Sequence, residues 1–153
     1  MIQIKTIDLK VIAWLQRWFL PLARLAVFIV YFYFGVLKLM GDSPASPLAQ
    51  ALTAKTIGLQ HFDLAFKLLA VYECLVGILF LIPKATRVVI PLLFIHLLIV
   101  CSPLVLVPDA AWLRPFVPTL EGQYIIKNVL IIALAIGVAA QTKPLAGKRA
   151  ARD

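Results

Sequence analysis

A few ionisable and amide side chains lie inside long apolar stretches of this sequence, and their types could do chemistry. They are Arg24, Lys38, Lys67, Glu73, His96, Lys127 and Asn128. A carboxylate and an imidazole in one apolar region are suited to proton transfer, and ammonium and amide groups are suited to binding a polar headgroup. An ionisable group in hydrocarbon is costly unless it faces a partner or water, so these residues are the first candidates for a site.

The stretches around these residues have the length of membrane spans. Of the 153 residues, 63% are hydrophobic and 14% are charged, and the mean hydropathy is +0.99, which excludes a soluble domain. Four apolar runs cover about 19–40, 62–82, 87–107 and 123–141. Each approaches the roughly 20 residues that cross a membrane as a helix. We predict an all-α integral membrane four-helix bundle, formed by one transmembrane domain over 1–153.

The distribution of basic residues predicts the orientation of this bundle. Nine of the fifteen Lys and Arg residues lie in the N-terminal segment, the link between the second and third spans, and the tail: Lys5, Lys10, Arg17, Lys84, Arg87, Lys143, Lys148, Arg149 and Arg152. Only Lys55 and Arg114 lie in the other two loops. The positive-inside rule therefore places both termini in the cytoplasm, in a multi-pass protein of the bacterial cytoplasmic (inner) membrane. A net charge of +8 spread in this way does not indicate a nucleic-acid partner.

Two helices are predicted outside the spans. Apolar residues repeat at three-to-four spacing over 4–18, which favours an N-terminal interfacial helix at the cytoplasmic surface. The alternative is a helix that continues the first span, with a break at Pro21. In the first outer loop, Ser46 followed by Pro47 predicts a short helix that ends near Thr56 and lies over the mouth of the bundle. The second outer loop, 108–122, is expected to be a rigid interfacial turn with aromatic anchors.

The alternating direction of the spans predicts where the polar groups lie. Glu73 and His96 fall near the centres of the second and third spans, close to the bilayer midplane. The outer half then holds a cationic, hydrogen-bonding pocket above this acid, with Lys38, Lys67, Lys127 and Asn128. Arg24, Tyr31 and Lys38 are seven residues apart on the first helix, and this stripe is expected to face the interior.

Each of these residues also has a purely structural interpretation. Arg24, Lys38 and Lys67 are each long enough to extend to the membrane surface. Glu73 and His96 are able to form a structural pair, and Asn128 is able to form a hydrogen bond between helices. The tyrosines are expected mainly in packing, although Tyr72, beside Glu73, is a candidate to line a cavity.

The usual ligands of redox centres and metals are not arranged in a recognisable set. Cys74 and Cys101 form neither a paired-thiol motif nor a His-spaced metal pair, and whether they ever pair with each other is left open. A haem held by two histidines is disfavoured because His61 lies in a loop and His96 lies mid-span. We predict no metal site, no encoded cofactor and no catalysis by this chain alone, since a bound cofactor or partner would have to carry any electrons.

Several short motifs follow one another in order along the chain. The first span ends in Phe34-Gly35-Val36-Leu37-Lys38-Leu39, and the second contains Glu73, Gly77 and Pro83 in the pattern E-x-x-x-G-x-x-x-x-x-P, before a basic turn with Arg87. This order resembles the DoxX-like superfamily of small four-helix membrane proteins. The segment Glu121-Gly122-Gln123-Tyr124-Ile125-Ile126-Lys127-Asn128 is similar to the opening of the last helix in its YkgB-like, reactive-chlorine-resistance branch. Gln123 and Asn128 here replace an Arg and an Asp of that branch.

The resemblance implies several different roles. Members of the superfamily are associated with a quinone-linked thiosulfate-oxidising complex, with oxidative-stress membrane complexes and, in a eukaryotic branch, with the assembly of ligand-gated ion channels. The motif residues that it points to are Gly35, Lys38, Glu73, Gly77 and Lys127. We expect Gly35 and Gly77 to serve helix packing, because small residues let helices approach closely in lipid.

Two functions remain open from the sequence. The first is binding of a quinone-like or other amphipathic small molecule, such as a lipid, in a redox or stress-response complex, with the chain as a subunit of a quinone-linked oxidoreductase. Its pocket would contain Lys38, Tyr72, Glu73, His96, Lys127 and Asn128. The second is a non-catalytic membrane subunit or assembly factor that binds another membrane protein. Membrane lipids, another membrane protein or a homo-oligomer are the expected partners. A transporter is less favoured because four spans are few for alternating access.

Overall fold

The computed structural model describes residues 2–144, and these residues are mostly helical. The predicted basic tail residues Lys148, Arg149 and Arg152 lie outside the described residues. The α-helices, in chain order, are α1 (Ile2–Met40), α2 (Ser46–Thr56), α3 (Phe62–Phe80), α4 (Thr86–Cys101), α5 (Pro103–Leu106), α6 (Pro108–Ala111), α7 (Leu120–Ile126) and α8 (Asn128–Ala140). Short 3-10 turns over Leu59–His61 and Pro83–Ala85 lead into α3 and α4.

Three helical segments of the described chain are long and apolar enough to cross a membrane. They are Lys5–Met40, Pro83–Leu106 and Leu120–Ala140. The last two contain two helices each, with interruptions at Ser102 and Lys127. The second predicted span corresponds to α3, which has 19 residues but carries Asp63, Lys67 and Glu73. The chain is therefore a helical membrane protein.

The first helix differs from the favoured prediction. Instead of a separate interfacial helix before the first span, α1 runs without interruption through Pro21, as a helix of 39 residues. It is roughly 58 Å long at ~1.5 Å per residue. A hydrocarbon core is about 30 Å thick, so only part of α1 is able to lie within it in an upright orientation. From Lys5 to Phe19 its residues are exposed, whereas the buried positions begin at Ala23.

The closest helix contact joins α1 and α3, and two glycines make it possible. A Cβ at Gly35 would lie 2.6 Å from Cys74 Sγ and 2.9 Å from the Ala70 carbonyl oxygen. A Cβ at Gly77 would lie 3.0 Å from the backbone nitrogen of Phe32. Because these neighbours are largely backbone atoms, larger side chains would force the helices apart. Gly35 and Gly77 therefore both lie at the contact between α1 and α3.

The four long helical segments close around an apolar core at one end of the bundle. Its buried side chains come from α1, α3, α4 and α8: Ala23, Val27, Tyr31, Val76, Phe80, Val89, Leu93, Leu97, Ala135 and Val138. This end contains the end of α3, the start of α4 and the end of α8, and we call it the Arg24 end. The opposite end contains α2 and the second loop, and we call it the α2 end.

The two loops at the α2 end contain more regular structure than the sequence predicted. α2 begins at Ser46, one residue before the predicted start, without a side-chain cap. The loop expected to be a simple rigid turn contains α5, α6 and a small antiparallel hairpin of β1 (Trp112–Arg114) and β2 (Val117–Pro118). The hairpin returns the chain to α6, where a Cβ at Gly122 would overlap the Ala111 carbonyl oxygen. The close approach explains the need for glycine there.

Candidate functional site

Four polar side chains from three helices meet in the middle of the bundle. Tyr31 and Lys38 lie two helical turns apart on one stripe of α1, Glu73 lies on α3 and His96 lies on α4. We call these four residues the polar row. Gly35 lies between the two α1 residues, and its missing side chain brings α3, and with it Glu73, close to α1. The row therefore depends on the spacing of Tyr31 and Lys38 on α1 and on the close contact between α1 and α3 at Gly35.

Hydrogen bonds connect the polar row from end to end. Lys38 Nζ donates to Glu73 Oε2 at 2.6 Å, and His96 Nε2 lies 2.9 Å from Glu73 Oε1. A carboxylate only accepts hydrogen bonds, so Nε2 carries the hydrogen in that contact. In a neutral imidazole ring, Nδ1 then accepts the hydrogen of the Tyr31 hydroxyl, whose oxygen lies 3.1 Å away. The order of donation is Tyr31 to His96 to Glu73, with Lys38 donating from the other side.

The row is buried, and its charges match. Tyr31, Glu73 and His96 are 3%, 5% and 4% exposed, and the Lys38 side chain is 8% exposed. One ammonium and one carboxylate cancel, so the row is neutral when the imidazole is neutral. Pairing of this kind is the condition under which ionisable groups persist in a low-dielectric interior. Glu73 therefore faces the bundle interior, within hydrogen-bonding reach of both Lys38 and His96.

The polar row forms one wall of a large cavity toward the α2 end. The cavity has a volume of about 620 Å³, within the range of small-molecule sites of roughly 300–1,000 Å³. Apart from the row, its lining is mostly apolar and includes Phe34 on α1, Leu48 on α2 and Ile131 on α8. We call it the central cavity. α2 covers this cavity, and it lies where the sequence predicted the short outer helix.

Two predicted cavity residues do not contact Glu73. Lys127 and Asn128 line the central cavity, but neither forms a hydrogen bond with Glu73. Lys127 is exposed and its Nζ lies 4.9 Å from the centre of the Tyr124 ring, a cation–π contact. Asn128 Nδ2 donates to the Ile125 carbonyl at 3.0 Å. This bond lies at the interruption between α7 and α8, within one membrane span. It does not join two different spans, as was expected.

Tyr72 contacts α4 and the His96 ring and does not line the central cavity. Its hydroxyl donates to the Leu92 carbonyl of α4 at 2.8 Å, and it is not among the residues that line the central cavity. Its ring stacks on the His96 ring, with the centroids 6.1 Å apart. Tyr72 therefore orients the imidazole from outside the cavity. The position of Tyr72 next to Glu73 in the sequence does not predict these contacts, because adjacent residues of a helix point in different directions.

The other candidate cations separate into a buried one and an exposed one. Arg24 is buried, and its Nη1 and Nη2 donate to the Phe80 carbonyl at 2.9 Å and to Thr86 Oγ1 at 2.7 Å. The predicted inward stripe of Arg24, Tyr31 and Lys38 is thus confirmed. Lys67 is exposed on α3 and is not part of the polar row.

The cysteines and the acidic residues do not form a metal site in the part of the chain that the structure describes. Cys74 and Cys101 are both free thiols, and Cys74 Sγ donates weakly to the Phe32 carbonyl at 3.8 Å, at the α1–α3 contact. Between residues 2 and 144, no group of three or more His, Cys, Asp and Glu side chains is close enough to hold a metal ion.

Sequence reasoning missed the role of Tyr31. It was expected to contribute mainly packing, yet its hydroxyl contacts His96 Nδ1. The signal was present, since Tyr31 lies seven residues before Lys38 on the inward stripe. Thr86, which accepts from Arg24, was also missed, because it is the first residue of α4, where a helix-start role is the simplest expectation.

Comparison with known proteins adds no relative to this geometry. No protein-family model matches the chain, and neither the curated proteins nor the solved structures gave a match.

Proposed function

We propose that this protein binds a quinone-like or other amphipathic small molecule in the central cavity, as a DoxX-like subunit of a redox or stress-response complex in the bacterial inner membrane. The observation that carries the proposal is the polar row, buried and hydrogen-bonded, at one wall of an apolar cavity of about 620 Å³. An amphipathic ligand needs such a combination, with a few convergent polar groups and a large apolar wall.

The proposed protein has four spans, which are α3 and the three apolar segments described above, and both termini lie in the cytoplasm. Glu73 would otherwise be costly in hydrocarbon, but it is buried against Lys38 and His96 and does not face lipid. The exposed Lys84 and Arg87 in the link before and at the start of α4 favour a cytoplasmic Arg24 end. Cysteines introduced at Thr56 and Arg114 should then react with an impermeant thiol reagent from the periplasm, and one at Lys84 should not. The opposite labelling pattern would reverse the orientation.

Lys38 is the residue best placed to bind the ligand headgroup. Its ammonium group has three N–H donors, and one of them is directed at Glu73 Oε2. The remaining donors serve a carbonyl or phenolic oxygen in the cavity that Lys38 lines. Lys127 and Asn128 line the same cavity and offer donors at a distance from the row, which suits a headgroup with two oxygens.

The remainder of the row is suited to moving a proton at that headgroup. Tyr31 lines the cavity and its hydroxyl is hydrogen-bonded to His96, which is hydrogen-bonded to Glu73. When a quinol hydroxyl gives its proton to the Tyr31 oxygen, the Tyr31 hydroxyl proton would pass to His96 Nδ1, so Tyr31 stays neutral and Glu73 stabilises the resulting imidazolium. Electrons would have to come from a partner subunit or from a second bound cofactor, because the side chains of the row are not redox groups.

Residues that line the cavity and are also exposed support entry of the ligand from the lipid. Phe34 on α1 and Tyr124 on α7 are 43% and 62% exposed, and both line the central cavity. In a membrane these surfaces face acyl chains. An amphipathic molecule would therefore reach the cavity between α1 and α7 without leaving the hydrocarbon.

Purification in mild detergent followed by mass spectrometry of the co-purifying lipids tests the proposal. A stoichiometric quinone or other amphipathic molecule is the expected result. Titration with decylubiquinone should then give saturable binding to the wild-type protein, and Glu73→Gln should weaken it by about tenfold, the effect of disturbing one charge-assisted hydrogen bond. Lys67→Gln is the matched control, because Lys67 is an exposed cation on the same helix as Glu73.

One combination of results would contradict the proposal. If the purified protein carries no amphipathic molecule and decylubiquinone binds wild type and Glu73→Gln equally, then the central cavity is not a binding site of this kind. The chain would then be a non-catalytic subunit or an assembly factor for another membrane protein, and its polar row would be structural.

A further inference from the structure

Arg24 is a buried cation without a carboxylate partner in the part of the chain that the structure describes. It is 9% exposed, and its hydrogen bonds go to the Phe80 carbonyl and to Thr86 Oγ1. The two ion pairs found between residues 2 and 144 both belong to Glu73. The negative end of the α3 dipole, at Phe80, offsets only part of the guanidinium charge. A guanidinium has five N–H donors, so three are left after these two bonds.

The side chain of Arg24 lines a second pocket, at the other end of the bundle from the central cavity. The pocket has a volume of about 510 Å³ and lies between α1, the 83–86 link and the end of α8. Its polar lining consists of Arg24, Thr86, Gln141, Thr142 and Lys143, and the other lining residues are leucine, proline and valine. We call it the Arg24 pocket. The Thr86 hydroxyl donates to the Pro83 carbonyl at 2.7 Å, whereas the other polar side chains of the pocket have donors for a ligand, and none is acidic.

The surroundings of the Arg24 pocket increase the positive charge. Arg87 Nη2 donates to the Lys143 carbonyl at 2.6 Å, which ties the start of α4 to the end of α8 beside the pocket. The nearest acidic residue on α1, Asp8, precedes Arg24 by sixteen residues, roughly 24 Å along the helix. The other acidic residues of the described chain lie in the polar row or toward the α2 end.

We propose that the Arg24 pocket binds a phosphate group, carried by an anionic lipid or present as free phosphate. A phosphate group has several acceptor oxygens and binds a guanidinium through two parallel hydrogen bonds, while the Thr142 hydroxyl and the Lys143 ammonium group complete its shell. Basic pockets between membrane helices on the cytoplasmic side are sites of this type for lipid headgroups. This site is separate from the central cavity, and it would remain if the ligand proposed there were wrong.

The test uses the full chain in mild detergent after removal of bound lipid. Inorganic phosphate and phosphatidylglycerol are added separately, with chloride at the same ionic strength as the control, and binding is followed by native mass spectrometry and by the thermal unfolding temperature. Arg24→Gln should weaken binding by about tenfold or more, because it removes a charge-assisted contact. Arg17→Gln should leave binding unchanged, because Arg17 is an exposed arginine seven residues earlier on the same helix.

A second variant keeps the test decisive if Arg24→Gln does not fold. Thr142→Glu places a carboxylate in the pocket and leaves the two hydrogen bonds of Arg24 intact, so it should abolish phosphate binding while the protein stays folded. Binding of phosphatidylglycerol alone identifies a lipid headgroup as the source, and binding of inorganic phosphate alone identifies free phosphate. Wild-type protein that binds neither probe, or Thr142→Glu protein that binds as wild type does, overturns the proposal.

Discussion

Lys38 and Arg24 are two buried cations on the same stripe of α1, and they have different hydrogen-bond partners. Lys38 meets a carboxylate at 2.6 Å and lies beside an apolar cavity. Arg24 meets a backbone carbonyl and a hydroxyl, and lies beside a pocket lined by donors. The carboxylate of Glu73 neutralises the charge of Lys38, whereas no carboxylate of the described residues pairs with Arg24. The comparison supports the two proposals above, a neutral amphipathic ligand in the central cavity and an anion in the Arg24 pocket.

The largest expected effect comes from breaking the neutral pair. Glu73→Leu leaves Lys38 buried without a carboxylate, and the free energy of unfolding should fall by about 3–5 kcal/mol, as for a buried ion pair that loses one partner. Thermal and denaturant unfolding in detergent measure it.

The double variant Glu73→Leu with Lys38→Met sharpens this result. It removes both charges, so much of the lost stability should return, because apolar replacement of a whole buried pair is often neutral. Equal instability of the double variant and of Glu73→Leu would show that packing, and not charge, decides the effect.

Removal of the other buried cation should cost less. Arg24→Met loses two hydrogen bonds to neutral acceptors and leaves no carboxylate behind, so we expect a loss of about 2 kcal/mol in the same unfolding measurement. If Arg24→Met were as destabilising as Glu73→Leu, the contrast between the two cations would be wrong.

A smaller effect is expected at the end of the polar row. Tyr31→Phe removes the hydroxyl that contacts His96 Nδ1, and the free energy of unfolding should fall by about 1 kcal/mol. Tyr33→Phe is the control, because Tyr33 is exposed on the same helix. A larger loss for Tyr33→Phe would contradict the assignment of Tyr31 to the row.

The smallest effect should come from an exposed cation. Arg87→Gln removes one hydrogen bond to the Lys143 carbonyl at the surface, and unfolding should change by less than about 0.5 kcal/mol. The same unfolding measurement distinguishes it from Arg24→Met, and similar losses in both would remove the distinction between buried and exposed arginine.

Much of the helical organisation followed from hydropathy, and the misses have physical causes. The apolar runs predicted long helices, and Ser46 with Pro47 predicted α2 to within a residue of its start. The favoured separate interfacial helix is absent and Pro21 does not break α1, because a proline removes one backbone hydrogen bond while the other bonds of the helix continue on both sides. The hairpin of β1 and β2 was missed because each strand is too short to show alternation.

The sequence by itself determined which groups must be inside. Glu73 and His96 are mid-span residues, and the spacing of seven places Arg24, Tyr31 and Lys38 on one side of α1, because these consequences depend only on helical period and on the cost of charge in hydrocarbon. Tertiary packing alone decided which partners meet. Glu73 pairs with Lys38 and not with Lys127, since Gly35 allows α3 to approach α1, whereas Lys127 Nζ lies over the Tyr124 ring of α7. Partner choice is set by distances between helices, which a one-dimensional pattern does not contain.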